Sequence, residues 1–173
     1  MTGAARVRPP PAPSLRPSSD DDRPFLEHLY GSVRADELAP TGWPDEAKRA
    51  FLASQFEFQQ THYRTAFEGA DFWVVEQDGA AIGRFYVDRT TPTLHIVEIS
   101  LLPEWRGRGI GSALIALLQD EVHAGRAKAV VLSVERTNTG ARRLYERLGF
   151  VEAPPASPYP GVSIEMTWTP SAD

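Results

Sequence analysis

The chain has 173 residues, 42% hydrophobic and 24% charged, an ordinary balance for a globular protein. With 23 acidic against 18 basic side chains its net charge is −5, which argues against a general nucleic-acid binder. It has no cysteine, which excludes disulfides, thiolate metal sites, iron–sulfur clusters and cysteine nucleophiles. The four histidines, at 28, 62, 95 and 123, lack a ligand spacing such as HExxH, so no metal site is expected and they read as surface or packing residues.

Taken in chain order, residues 1–13 read as a disordered, proline-rich tail, and 14–170 as a single domain. Five prolines fall in the first 17 positions. Arg6, Arg8 and Arg16 precede any acid and read as a solvated basic arm. No apolar run approaches the about 18 residues of a membrane span, and no secretory-type apolar segment follows the start. A cytoplasmic protein without membrane association is expected.

The cluster Ser19–Asp22 can cap a helix whose stripe is Phe25, Leu26, Leu29, Tyr30 and Val33. After a break at Pro40–Pro44, Asp45 and Glu46 open a longer helix to Phe67. Its stripe of Leu52, Gln55, Phe56, Gln59 and Tyr63 is interrupted by two glutamines. Strands are expected at 72–76 and 81–87, joined by the turn Gln77-Asp78-Gly79. A third, Thr93–Leu102, alternates Ile96, Glu98 and Ser100 with Val97, Ile99 and Leu101. A glycine-rich turn leads to a helix with Ile110, Leu114, Leu117, Leu118 and Val122 on its apolar face, stopped at Gly125. Ala129–Val134 reads as a buried parallel strand, then comes a short helix through Ala141, Leu144, Tyr145 and Leu148 to Gly149. Final strands at 150–152 and 162–168 flank a proline-rich loop at 154–160. This order predicts one mixed α/β sheet.

The turn carries the chemistry. Gly107, Gly109 and Gly111 remove Cβ atoms, so backbone N–H groups can converge on a ligand. The following helix adds its positive end, and Arg106 and Arg108 add charge, as a phosphate or pyrophosphate site requires. A tight turn needing glycine for geometry alone remains the alternative at this stage. A P-loop is excluded because no Gly-Lys-Ser/Thr triplet occurs, and three preceding strands weaken a dinucleotide-fold reading.

These residues resemble the GCN5-related N-acetyltransferase (GNAT) superfamily. Its acyl-CoA signature, Gln/Arg-x-x-Gly-x-Gly/Ala, appears as Arg106, Gly109 and Gly111. Its later motif, Asn-x-x-Ala-x-x-x-Tyr-x-x-x-Gly-Phe, appears as Asn138, Ala141, Tyr145, Gly149 and Phe150. The resemblance covers residues 80–152. It implies an α+β fold: a single, mostly antiparallel mixed sheet with a splayed central parallel pair, flanked by about four helices. It implies acetyl-CoA as cofactor, with pantetheine pairing along Ile99, Ser100, Leu101 and Leu102. The pyrophosphate would sit on Arg106, Gly107, Arg108, Gly109, Ile110, Gly111 and Ser112, with Asn138 bonding the pantetheine arm. Tyr145 would protonate the leaving thiolate.

Acetyl transfer also needs an unprotonated amine, and an amine of ordinary pKa near ~10.4 must first lose a proton. Glu98 is the candidate base, acting directly or through water, unless it serves only to pair an arginine such as Arg84. The N–H of Leu101 would hold the oxyanion. Gln55, Gln59 and Tyr63 are candidate acceptor-pocket residues. The expected function is direct N-acetylation of a small-molecule amine. A protein lysine or N-terminal acetyltransferase and a non-catalytic acyl-CoA sensor are the alternatives. A homodimer is a state open to proteins of this kind.

Overall fold

A computed structural model describes residues 12–154 and 161–171. The expected tail, apart from its last two residues, and the proline-rich loop, apart from Pro154, lie outside the described residues. The strands are β1 (Ser14–Pro17), β2 (Asp71–Gln77), β3 (Ala80–Asp88), β4 (Thr93–Leu101), β5 (Ala129–Glu135), β6 (Val151–Glu152) and β7 (Ser163–Trp168). The helices are α1 (Arg23–Leu38), α2 (Asp45–Ala66), α3 (Ile110–His123) and α4 (Thr139–Arg147). One sheet runs β1-β2-β3-β4-β5-β7-β6. Only β4 and β5 pair in parallel; the other neighbours are antiparallel. Among the described residues no helix is long and apolar enough to cross a membrane.

Strand β1 was not expected from the proline-rich sequence. Leu15 packs against the core, and Pro17 is tolerated because the strand lies at the sheet edge. Arg16 is correspondingly no solvated tail residue. Its guanidinium grips the Asp22 carboxylate through both Nη atoms, at 2.8 and 2.6 Å, and Glu76 through Nε at 2.7 Å. The Arg16 hydrogen bond, helped by the Ser19 N–H, pulls the Asp22 pKa from 3.8 down to about 2. A depressed folded-state value means this stabilisation is complete above about pH 4 and is lost as pH falls towards 2. Asp22→Asn is therefore expected to lower the melting temperature at pH 7 and to flatten the acid dependence across that window, as thermal melts against pH would register.

Helices α1 and α2 cover one face through Leu26, Tyr30 and Phe56. Helices α3 and α4 cover the other, where Phe85, Val87, Val130 and Leu132 meet Leu114, Leu118 and Tyr145. The α3 stripe differs from expectation at one place. Ile115 is fully buried, whereas Leu117, at the stripe's edge, is 46% exposed.

A bulge in β4 positions the site. Tyr86 lies opposite Glu98 and Val87 opposite Ile96, so Val97 has no partner. An extra residue reverses the alternation beyond it. Ile96 therefore shares the α3–α4 face with Ile99 and Leu101, while Glu98 and Ser100 turn with Arg84 to the face bearing α2. The expected grouping of Ile96 with Glu98 and Ser100 is overturned. Parallel pairing with β5 runs only from Thr93–Ala129 to Ile96–Leu132 and stops where the bulge begins. Beyond it the two strands part, as the resemblance implied.

Candidate active site

The parted strands open into a cleft of about 600 Å³ on the α3–α4 side. Ile99, Ser100 and Leu101 form one wall, the loop from Arg106 to Ser112 the floor, and Asn138, Ala141, Leu144 and Tyr145 the other wall. The N–H of Leu102 donates to the Ile82 carbonyl at 2.9 Å. Backbone groups alternate sides along a strand, so the N–H of Leu101 turns towards the gap. Leu102 itself is buried off the cleft, and Arg108 stacks on Trp105, its guanidinium carbon 4.8 Å from the ring centre.

The glycines shape a cradle. Gly107 and Gly109 have φ of +69° and +79°, and a Cβ on either would meet nothing within 4 Å. Both conformations are left-handed, and both empty directions are space that a side chain would fill. Gly109 is also the N-cap of α3, so the helix's free N–H groups point there. Arg106 donates through Nε to the Leu101 carbonyl at 3.0 Å, which leaves its other nitrogens for a ligand. A pyrophosphate fits this cradle. Asn138 accepts the Ala141 N–H at 3.1 Å and so caps α4, leaving its amide NH₂ to donate.

Two titratable groups lie where the strands part. Tyr145 is buried at the cleft's inner wall, and its hydroxyl has no hydrogen-bond partner among the described residues. Burial, reinforced by the charge of Glu98, pushes its pKa up to about 12. Glu98, on the α2 face, accepts the Tyr63 hydroxyl at 2.8 Å and lies 3.4 Å from Nη2 of Arg84. Arg84 is 2% exposed and also donates to Gln59 at 2.7 Å and to the Ser100 hydroxyl at 3.2 Å. Burial is the largest single influence and opposes its charge, but the Glu98 carboxylate together with Tyr86 and Tyr63 outweighs it, and the guanidinium is held protonated. Burial, then the adjacent Glu98 charge, raises the Tyr63 pKa well above the ordinary phenol value, so Tyr63 remains a donor.

The structure thus joins Gln59 and Tyr63 to Glu98 and makes no hydrogen bond from Gln55 to this network. Ser100 both lines the cleft and accepts from Arg84, tying the two faces together. The cleft also includes Val33, Gly140 and Arg147, which the sequence reading did not single out as site residues. Val33 ended an apolar helical stripe, and its 41% exposure is the sign that it faces a site instead of the core. A smaller hollow of about 340 Å³ lies between Ser18–Arg23 and α2, with its charged rim already paired, Arg23 with Glu57 and Arg64 with Asp20.

Residues 33–150 match the family model of the acetyltransferase (GNAT) family. The chain is 31% identical over 150 residues to the mycothiol acetyltransferase of Acidimicrobium ferrooxidans, covering 82% of this chain and 44% of that protein. It is 35% identical over 96 residues to the N-alpha-acetyltransferase of Sulfurisphaera tokodaii, covering 48% of this chain and 58% of that one. The chain spans about half the length of these curated relatives. Its fold is similar to the PaiA N-acetyltransferase of Thermoplasma acidophilum, solved in complex with coenzyme A, with a TM-score of 0.66 at 15% identity; the match covers 91% of this chain and 99% of that one. The cradle, the parted strands and the family match converge: the chain belongs to the acetyltransferase (GNAT) family, whose acetyl donor is acetyl-CoA.

Proposed function

We propose that the protein is an acetyl-CoA-dependent N-acetyltransferase that acetylates a primary amine of a small molecule by direct transfer. One observation carries this reading: Tyr145 lines the glycine-floored cleft, and Glu98, on the opposite face of β4 next to the cleft residue Ile99, is close enough for its charge to act on the Tyr145 hydroxyl. Bound acetyl-CoA supplies an activated thioester. Glu98, oriented by Tyr63 and Arg84, anchors the incoming ammonium and takes its proton directly or through one water. The Leu101 N–H is turned to stabilise negative charge on the carbonyl oxygen. Tyr145 is a protonated phenol at neutral pH and gives its proton to the departing sulfur. With no cysteine in the chain, no cysteine acyl-enzyme precedes transfer.

A small-molecule acceptor is supported by the likeness, over most of this chain, to an enzyme named for mycothiol. The similarity to an N-alpha-acetyltransferase favours a second acceptor class, the α-amino group of a polypeptide. Because the protein contributes no thiol, CoA released from acetyl-CoA can be read with a thiol-reactive dye against no background. Wild type and Glu98→Gln would be run against polyamines, aminoglycosides, amino acids, lysine peptides and peptides with free N-termini. Acceptor-dependent release that falls by about a hundredfold in Glu98→Gln is expected, in line with loss of a general base. Full activity in that variant overturns the role of Glu98. Release with peptides alone assigns the second class, and acetyl-CoA binding without any release supports a sensor.

A further inference from the structure

The acceptor side of the site holds a positive charge that acetyl transfer does not itself require. Arg84, on β3, is 2% exposed and pairs with one acid among the described residues, Glu98. A cation this deep is costly unless it is surrounded by acceptors. Its Nη2 donates to Gln59 at 2.7 Å, its Nε donates to Ser100 at 3.2 Å, and its guanidinium carbon lies 5.4 Å from the Tyr86 ring centre. Helix α2 and strand β4 thus fix Arg84 from two sides, and it stays beside Glu98 when an acceptor arrives. The Tyr63 hydroxyl and Arg84 both approach the same carboxylate oxygen, Oε2, so Oε1 is the oxygen left to meet the amine.

The charges around Glu98 can be summed. Besides Arg84, the titratable groups that face the pair are phenols: Tyr63 from α2, Tyr86 from β3 and Tyr145 from α4. Burial raises all three above the ordinary phenol value, so each is uncharged at pH 7. One carboxylate and one guanidinium then sum to zero. A lone carboxylate would draw in an ammonium ion, but here that ion must also approach a fixed guanidinium, whose repulsion cancels much of the attraction. Amines differ in how much this matters. At pH 7 an alkylammonium of pKa ~10.4 is neutral in about one molecule in 2,500, and an α-amino group of pKa ~8 in about one in ten. A site without surplus negative charge does not concentrate the first kind, whereas the second kind reaches it as the free amine.

We propose that Arg84 sets the acceptor class: by cancelling the charge of Glu98 it selects a weakly basic amine, the α-amino group of an amino acid derivative, over alkylammonium ions such as polyamines. This rests on the acetyl-transfer reading, with Glu98 as the residue that meets the amine. CoA release would be measured with acceptors paired by side chain, leucinamide with isoamylamine and phenylalaninamide with phenethylamine, and with spermidine. Wild type is expected to favour the amides in kcat/KM at pH 7 by about tenfold or more. Arg84→Met should erase that preference, chiefly through a lower KM for the alkylamines, and Arg84→Lys should keep it. Glu98→Gln leaves the guanidinium unopposed and should widen the preference in whatever activity remains. A merely structural role, or partial unfolding, lowers both members of a pair alike and leaves their ratio unchanged. An unchanged ratio in Arg84→Met therefore overturns the proposal, as does wild type favouring the alkylamines or spermidine. An unchanged ratio in Glu98→Gln overturns it as well, by a variant that keeps Arg84 in place. CoA release with none of these amines, while acetyl-CoA still binds, overturns the acetyl-transfer reading, and the proposal with it.

Discussion

Gly109→Val is expected to cost more than about a hundredfold in coenzyme A affinity while leaving a folded protein, because phosphate binding there depends on close backbone approach. Two effects combine. At φ +79° a β-branched residue is strained, by roughly 1–2 kcal/mol, and melting should fall by a few degrees. The larger effect is occupancy, since the new side chain fills the space that now holds nothing within 4 Å and that the pyrophosphate needs. Gly125→Val separates the two. That residue has φ +73° with equally open surroundings, just past the other end of α3 and away from the cleft. Calorimetry with CoA and a thermal melt on both variants decide the matter. Similar losses of stability with loss of binding confined to Gly109→Val are expected, whereas equal binding in both variants sinks the cradle assignment.

Tyr145→Phe is expected to reduce CoA release by about a hundredfold without changing coenzyme A affinity, the signature of a lost general acid. The ring would still pack on Phe150, whose centroid is 5.9 Å away, and the hydroxyl removed has no hydrogen-bond partner among the described residues, so stability should hardly move. Burial and the Glu98 charge place the Tyr145 pKa near about 12, so the donor form persists as pH rises through 7 and beyond. Activity should therefore climb with pH as the amine loses its proton, and a fall due to Tyr145 belongs only near pH 12. An unaffected mutant rate would dismiss Tyr145 as the acid and leave the thiolate to depart unassisted.

Much of the glycine-floored cleft was legible in the sequence because its determinants are local. A glycine at 107 or 109 announces a left-handed backbone whatever surrounds it, and the spacing from Arg106 to Gly111 sits between a strand pattern and a helix pattern that neighbouring residues define. The helical period of α3 and the apolar run of β5 are local in the same sense, although Leu117 shows how the edge of a stripe goes astray. The acceptor side is different. The Tyr63–Glu98 bond spans 35 residues and the Arg16–Glu76 pair 60, and no periodicity within a segment encodes either one.

By itself the sequence determined the helices, most of the strands, the glycine-rich turn before α3 and the chemical types available, with cysteine chemistry excluded. Only the tertiary structure decided that residues 14–17 close the sheet edge, that Arg84 is buried against Glu98, and that Arg147 borders the cleft. It also decided which way Glu98 faces. Side-chain direction in a strand follows from counting by twos until a bulge intervenes. The bulge at Val97 is a property of the pairing between β4 and β3, and pairing is a contest between distant segments for one set of backbone hydrogen bonds.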